Sequence, residues 1–170
     1  QWGFIPAEGD QPPVTEALVP ARQESTLTRA ETKALALQAV DMFVGSGAPD
    51  VFAPDVVVHL PLSLYPDPLD LAGYQEFMSA YQTAFPGFTL APREEIVADG
   101  LVADANLVAY MYTFSGTFAG ELRGLEPLET EVSYPGINIY RIADGKIAEV
   151  WSVWDAFSEL TQMQPPETDS

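Results

Sequence analysis

The segment Asp144-Gly145-Lys146-Ile147-Ala148-Glu149-Val150-Trp151-Ser152-Val153-Trp154-Asp155 decides how this chain folds. Asp-Gly supplies the two left-handed backbone positions of a tight hairpin turn. It lies between two runs rich in β-branched and aromatic residues, Val132 to Ile142 and Lys146 to Asp155, which read as paired antiparallel strands. Working outward, Leu107 to Phe118 is another long strand, with Val108, Tyr110, Tyr112 and Phe114 on one face by period-two alternation. Phe88 to Ala98 reads as a further strand, and Asp99-Gly100 carries a second hairpin signal.

Upstream, the hydrophobic period becomes helical. Thr28-Arg29-Ala30-Glu31 has capping-box spacing, Leu37, Val40 and Val44 follow at helical intervals, and Gly45-Ser46-Gly47 ends the run. Pro49 to Phe52 allows one short helical turn, and Asp55 to His59 reads as a short strand stopped at Pro61. Three prolines between Leu60 and Asp70 make that stretch a loop. A second helix is expected from about Leu71 to Phe85, burying Tyr74, Phe77, Met78, Tyr81 and Phe85, with Pro86-Gly87 closing it. Residues 1–25, with Pro6, Pro12, Pro13 and Pro20 among acidic and small residues, form an extended arm; 26–163 form the domain, and 164–170 a flexible tail. Helices first and a curved antiparallel sheet afterwards is an α+β order.

Composition narrows the function. A chain of 170 residues, 47% hydrophobic, can bury a single-domain core. With 25 acidic residues against 7 basic and a net charge of -18, it repels phosphate backbones and anionic bilayers, so neither nucleic acid nor membrane is an expected partner. One histidine, no cysteine and no ligand-spaced carboxylate cluster leave no metal site to expect. Residues 1–20 lack both the basic start and the apolar core of a signal peptide. A cytoplasmic location is favoured; Gln1 in place of Met keeps secretion open.

In order along residues 29–163, several local features resemble the SnoaL-like polyketide cyclase (ester cyclase) family of the nuclear transport factor 2-like superfamily. They are His59 before a proline-bearing loop, Ala84-Phe85-Pro86-Gly87, Gly116-Thr117-Phe118-Ala119-Gly120, Gly136 to Ile142 with Asp144-Gly145-Lys146-Ile147, then Glu149, Trp151, Trp154-Asp155 and Leu160 to Gln162. The resemblance implies a cone, in which a bent sheet wraps around helices and encloses a ligand pocket. It also implies homodimerisation through the outer sheet face and catalysis without metal or organic cofactor. Cyclases, isomerases and lyases share this fold, so function has to be argued from residues.

Asp155 is the first catalytic candidate. Alternation sets Glu149, Trp151, Val153 and Asp155 on one face, and a carboxylate beside tryptophans is poorly solvated, which suits it to proton transfer near neutral pH. The competing reading is a surface or helix-capping aspartate. His59 is the second candidate, as a proton-transfer partner across the pocket or as a satisfied histidine at a strand end. Tyr112 and Asn138 are the preferred pair for holding a carbonyl oxygen, ahead of Tyr110, Tyr134 and Tyr140. Trp151, Trp154, Phe85 and Phe118 are expected as pocket wall or core.

The chain departs from the family pattern at Phe118, where the family has histidine, at Gly124 to Thr130, and at Leu60. Three functions follow. The first is a cofactor-free cyclase or isomerase acting on an apolar, carbonyl-bearing molecule of polyketide or terpenoid type. The second is an epoxide hydrolase or dehydratase, for which Arg93, Arg123 and Arg141 are the arginines at hand, Arg141 facing away from Asn138. The third is a binding protein without chemistry.

Overall fold

The computed structural model describes residues 27–45, 49–94, 100–104 and 106–165; the arm, Asp99 and residues 166–170 lie outside them. In chain order the elements are α1 (Arg29–Phe43), a single 3-10 turn (Pro49–Val51), β1 (Phe52–His59), α2 (Leu71–Ala84), β2 (Thr89–Pro92), β3 (Leu101–Asp104), β4 (Leu107–Phe118), β5 (Thr130–Ala143), β6 (Lys146–Trp154) and α3 (Ala156–Gln162). No described helix is long and apolar enough to cross a membrane.

The sheet order is β1-β6-β5-β4-β2, with β3 also on β4. The β5–β6 hairpin turns on Asp144 (φ 50°) and Gly145 (φ 73°), both in the left-handed region that the Asp-Gly pair makes accessible. All pairs are antiparallel except β1–β6, which is parallel and adds a parallel edge to the expected antiparallel sheet. The second hairpin signal, Asp99-Gly100, falls at the edge of the described residues: Asp99 lies outside them, as do 95–98 before it. β2 pairs with residues 112–115 of β4 and β3 with residues 107–110, so the two lie in line along one edge of β4 and do not pair with each other. Of the expected Phe88–Ala98 strand, the described residues form β2 over Thr89–Pro92.

Helix α1 starts as its sequence dictates. The Thr28 hydroxyl accepts from the Glu31 N–H, and the Glu31 carboxylate accepts from the Thr28 N–H at 2.8 Å. Its buried face is different from the one expected: Ala36, Ala39 and Val40 are buried and Leu37 is 41% exposed. Small alanine side chains let the helix approach the sheet closely. Helix α2 buries Tyr74, Phe77, Met78 and Tyr81 as its spacing predicts.

On the concave side of the sheet, Val108, Tyr110, Tyr112 and Phe114 of β4 lie with Tyr134, Asn138 and Tyr140 of β5 and Val150, Ser152 and Trp154 of β6, all buried. Each large side chain of this set contributes about 1.5–3 kcal/mol by leaving water. The C-terminal end of α2 meets the end of β4 at Gly120, where both Ala119 N–H and Gly120 N–H donate to the Ala84 carbonyl. A Cβ on Gly120 would lie 2.5 Å from the Thr83 carbonyl oxygen, against rigid backbone. Gly120→Ala should therefore lower unfolding free energy by about 1–3 kcal/mol in urea denaturation. A shift under 0.5 kcal/mol on that scale would show that the two elements are not packed this closely.

Candidate active site inside the cone

The cone encloses a cleft lined by Phe43, Tyr74, Phe77, Tyr81, Tyr112, Phe114, Tyr134, Asn138, Ser152 and Trp154. Its enclosed volume is about 10 Å³, room for about one water. Eight of these ten residues are aromatic. The polar end comes from neighbouring strands: Ser152 Oγ donates to Asn138 Oδ1 at 2.6 Å, and Asn138 Nδ2 donates to the Tyr140 hydroxyl at 3.0 Å. The β4–β5–β6 register explains this grouping, because Asn138 is paired with both Tyr110 and Ser152. Tyr112 reaches them by lying over Gly136, where an added Cβ would come within 2.4 Å of its ring. Burial pushes the Tyr112 phenol above its ordinary pKa, with a hydrogen bond to Ser152 opposing the rise, so Tyr112 is a neutral donor at physiological pH.

Behind the other end of the cleft sits Glu159, with no solvent exposure. Its Oε1 accepts from the hydroxyls of Tyr81 (2.6 Å) and Tyr134 (3.3 Å). Its Oε2 accepts from Trp154 Nε1 at 3.0 Å and lies 2.7 Å from Arg123 Nη2. Burial first, and then the charge of Glu159, raises the Tyr81 phenol well above its ordinary value; Tyr134 shifts the same way. Arg123, on the β4–β5 connection with φ 53°, also sits 5.9 Å from the Tyr81 ring centre.

Several expectations about the site are corrected. Asp155 is exposed and outside the cleft, where it caps α3: its Oδ1 accepts from Ser158 N–H at 3.0 Å and its Oδ2 from Ser158 Oγ at 2.7 Å. Those bonds hold its pKa below the ordinary aspartate value, opposite to the rise expected of a proton-transfer carboxyl. His59 is on the outer sheet face, bonded through Nε2 to Glu149 Oε1 at 2.9 Å and stacked on Trp151 at 5.6 Å. Trp151 is thus on the outer face too, with Glu149 also held by Arg141 Nε at 2.9 Å. Glu149 and Trp151 do share a face, but it is the convex one. Phe85 and Phe118 are fully buried against each other, 5.5 Å between centres, in the core beside the cleft lining. Tyr112, Asn138 and Trp154 are in the lining.

Glu159 is the residue that sequence reasoning missed. A signal existed: with Asp155 as N-cap, Trp154 is N′ and Glu159 is N4, the two positions that pack together at a helix start. Here that contact is a hydrogen bond between indole and carboxylate.

The profile of the SnoaL-like polyketide cyclase family matches residues 34–163. The chain belongs to that family. A search of curated proteins found no significant match. Among solved structures, AclR from Streptomyces galilaeus, a candidate hydroxylase, is 26% identical over 84% of this chain and 87% of its own, with a TM-score of 0.69. IdmH from Streptomyces antibioticus, a candidate polyketide cyclase, is 24% identical over 78% and 97%, with a TM-score of 0.66. A candidate SnoaL-like cyclase from Jannaschia is 15% identical over 85% and 99%, with a TM-score of 0.71. The last two likenesses establish the cone fold.

Removing one side of the buried ion pair leaves an uncompensated charge, so Glu159→Ala should cost about 3–5 kcal/mol of stability. Replacing both Glu159 and Arg123 with leucine should recover most of that loss; chemical denaturation of the single and double variants checks it. The Asp155 cap follows a different pH course. Because its folded-state pKa is depressed, its contribution is complete above the ordinary value of about 3.9 and is lost as pH falls through the lower folded value. Asp155→Asn should flatten the fall of Tm between roughly pH 5 and 2 that this linkage produces, while leaving ligand binding at neutral pH unchanged.

Proposed function

We propose that the protein takes an apolar, carbonyl-bearing small molecule of polyketide or terpenoid type into the cone and promotes its enolisation, as a cyclase or isomerase without organic cofactor. The observation that carries this is the one-sided cleft: aromatic walls with neutral donors from Tyr112 and Asn138 at one end. A carbonyl oxygen placed there gains hydrogen bonds that strengthen as negative charge develops on it, in a site walled by aromatic rings. A water that enters beside the ligand takes the carbon-bound proton. The C–H electron pair becomes the new C=C bond, and the carbonyl π pair moves onto the oxygen held by those donors.

A second reading, a binding protein without chemistry, is favoured by one observation. None of the ten lining side chains is a carboxylate or an imidazole, and Glu159 has both oxygens occupied.

The probe 2-tetralone, a bicyclic ketone with exchangeable protons beside its carbonyl, separates the two. Calorimetry measures its binding, and proton NMR in deuterium oxide measures exchange of those protons. Catalysis predicts accelerated exchange that falls by about a hundredfold or more in Tyr112→Phe. Binding without acceleration supports the second reading, and no binding sinks both. Among the described lining residues Phe43 alone is not buried, which makes it the side chain to move when a ring system enters. Phe43→Ala should raise the association rate in stopped-flow fluorescence.

A further inference from the structure

We propose that Glu159 is a positioning residue that gives the cleft its one-ended polarity, by drawing the hydroxyls of Tyr81 and Tyr134 and the indole N–H of Trp154 out of the lining. The inference rests on the cleft being a ligand site and deepens that reading to a substrate class: molecules with oxygen at one end and bare hydrocarbon at the other.

Three of the ten lining side chains end on this single carboxylate. Each ring has one hydrogen to donate, and each donates it to Glu159. What these residues turn toward the cleft is therefore ring surface. The carboxylate is filled in return: Oε1 holds two phenols, and Oε2 holds the indole and the Arg123 contact. With three hydrogen bonds and the Arg123 charge at 2.7 Å, both Glu159 oxygens are engaged within the protein. Arg123 supplies the opposite charge from the far side, where it packs on the Tyr81 ring. The Tyr112, Asn138 and Ser152 group makes no hydrogen bond to Glu159 and remains the donor-bearing end. A ligand hydroxyl at the Glu159 end would lose water and meet only ring surface.

The test compares 2-tetralone with 6-hydroxy-2-tetralone, which adds one hydroxyl at the end opposite the ketone. Calorimetry on the wild type should show a preference of tenfold or more for 2-tetralone. Glu159→Gln keeps the shape but cannot accept at both atoms, which returns a donor to the lining; the preference should drop below threefold. The double variant Glu159→Leu, Arg123→Leu removes both charges together, frees all three donors and should abolish the preference. A ligand-free readout runs beside these. The Trp154 indole N–H resonance in a nitrogen–proton correlation spectrum should move in both variants, while that of Trp151 stays. An unchanged preference in the variants, equal binding of both ketones by the wild type, or an unmoved Trp154 resonance would each overturn the inference. Failure of the wild type to bind either ketone would overturn the ligand-site reading as well, which separates the two failures.

Discussion

A carboxylate removed wholly from water costs several kcal/mol unless an opposite charge and a donor for each lone pair come with it. The arrangement around Glu159 meets that cost by drawing on five separate parts of the chain. Tyr81 comes from α2, Arg123 from the β4–β5 connection, Tyr134 from β5, Trp154 from the end of β6, and the acid itself from α3. A shift of any of these segments breaks a hydrogen bond or the ion pair at Glu159, which ties the last helix, the sheet and the second helix together at one point. The Asp155 cap belongs to the same device, since it starts α3 where Glu159, one turn later, points into the core.

The consequence for the cleft is a division of labour among similar side chains. Tyr81, Tyr112 and Tyr134 are all buried phenols held in their neutral form, yet only Tyr112 lies with the amide and hydroxyl of Asn138 and Ser152. Its position follows from Gly136, whose missing Cβ leaves space for the ring to cross the neighbouring strand. The polar groups of the outer face, His59, Arg141 and Glu149, bond to one another, and His59 stacks on Trp151, away from the cleft. The family fold is kept while Asp155 and His59, the expected acid–base pair, lie outside the cleft.

Much of the architecture was legible because it rests on local rules. Asp144-Gly145 can turn tightly only with left-handed backbone, Thr28 and Glu31 satisfy each other's neighbours at a helix start, and Tyr74, Phe77, Met78 and Tyr81 repeat at the helical period. Alternation also grouped Val108, Tyr110, Tyr112 and Phe114 correctly on one face of β4. It grouped Glu149 with Trp151 as well, but alternation is blind to which of two faces is concave. Trp151 and Trp154, three residues apart, must fall on opposite sides, and only packing against α2 selected Trp154 for the interior.

By itself, then, the sequence determined the three long strands β4, β5 and β6, the two long helices, the closing hairpin and the family, because turn chemistry and hydrophobic period act over a few residues. Tertiary structure alone decided the site. Whether a carboxylate is a solvated helix cap or a buried anchor depends on partners distant in the chain: Asp155 found Ser158 nearby and water around it, whereas Glu159 found Tyr81, Arg123 and Tyr134. Burial of charge is a property of that company and leaves no period in the sequence to read.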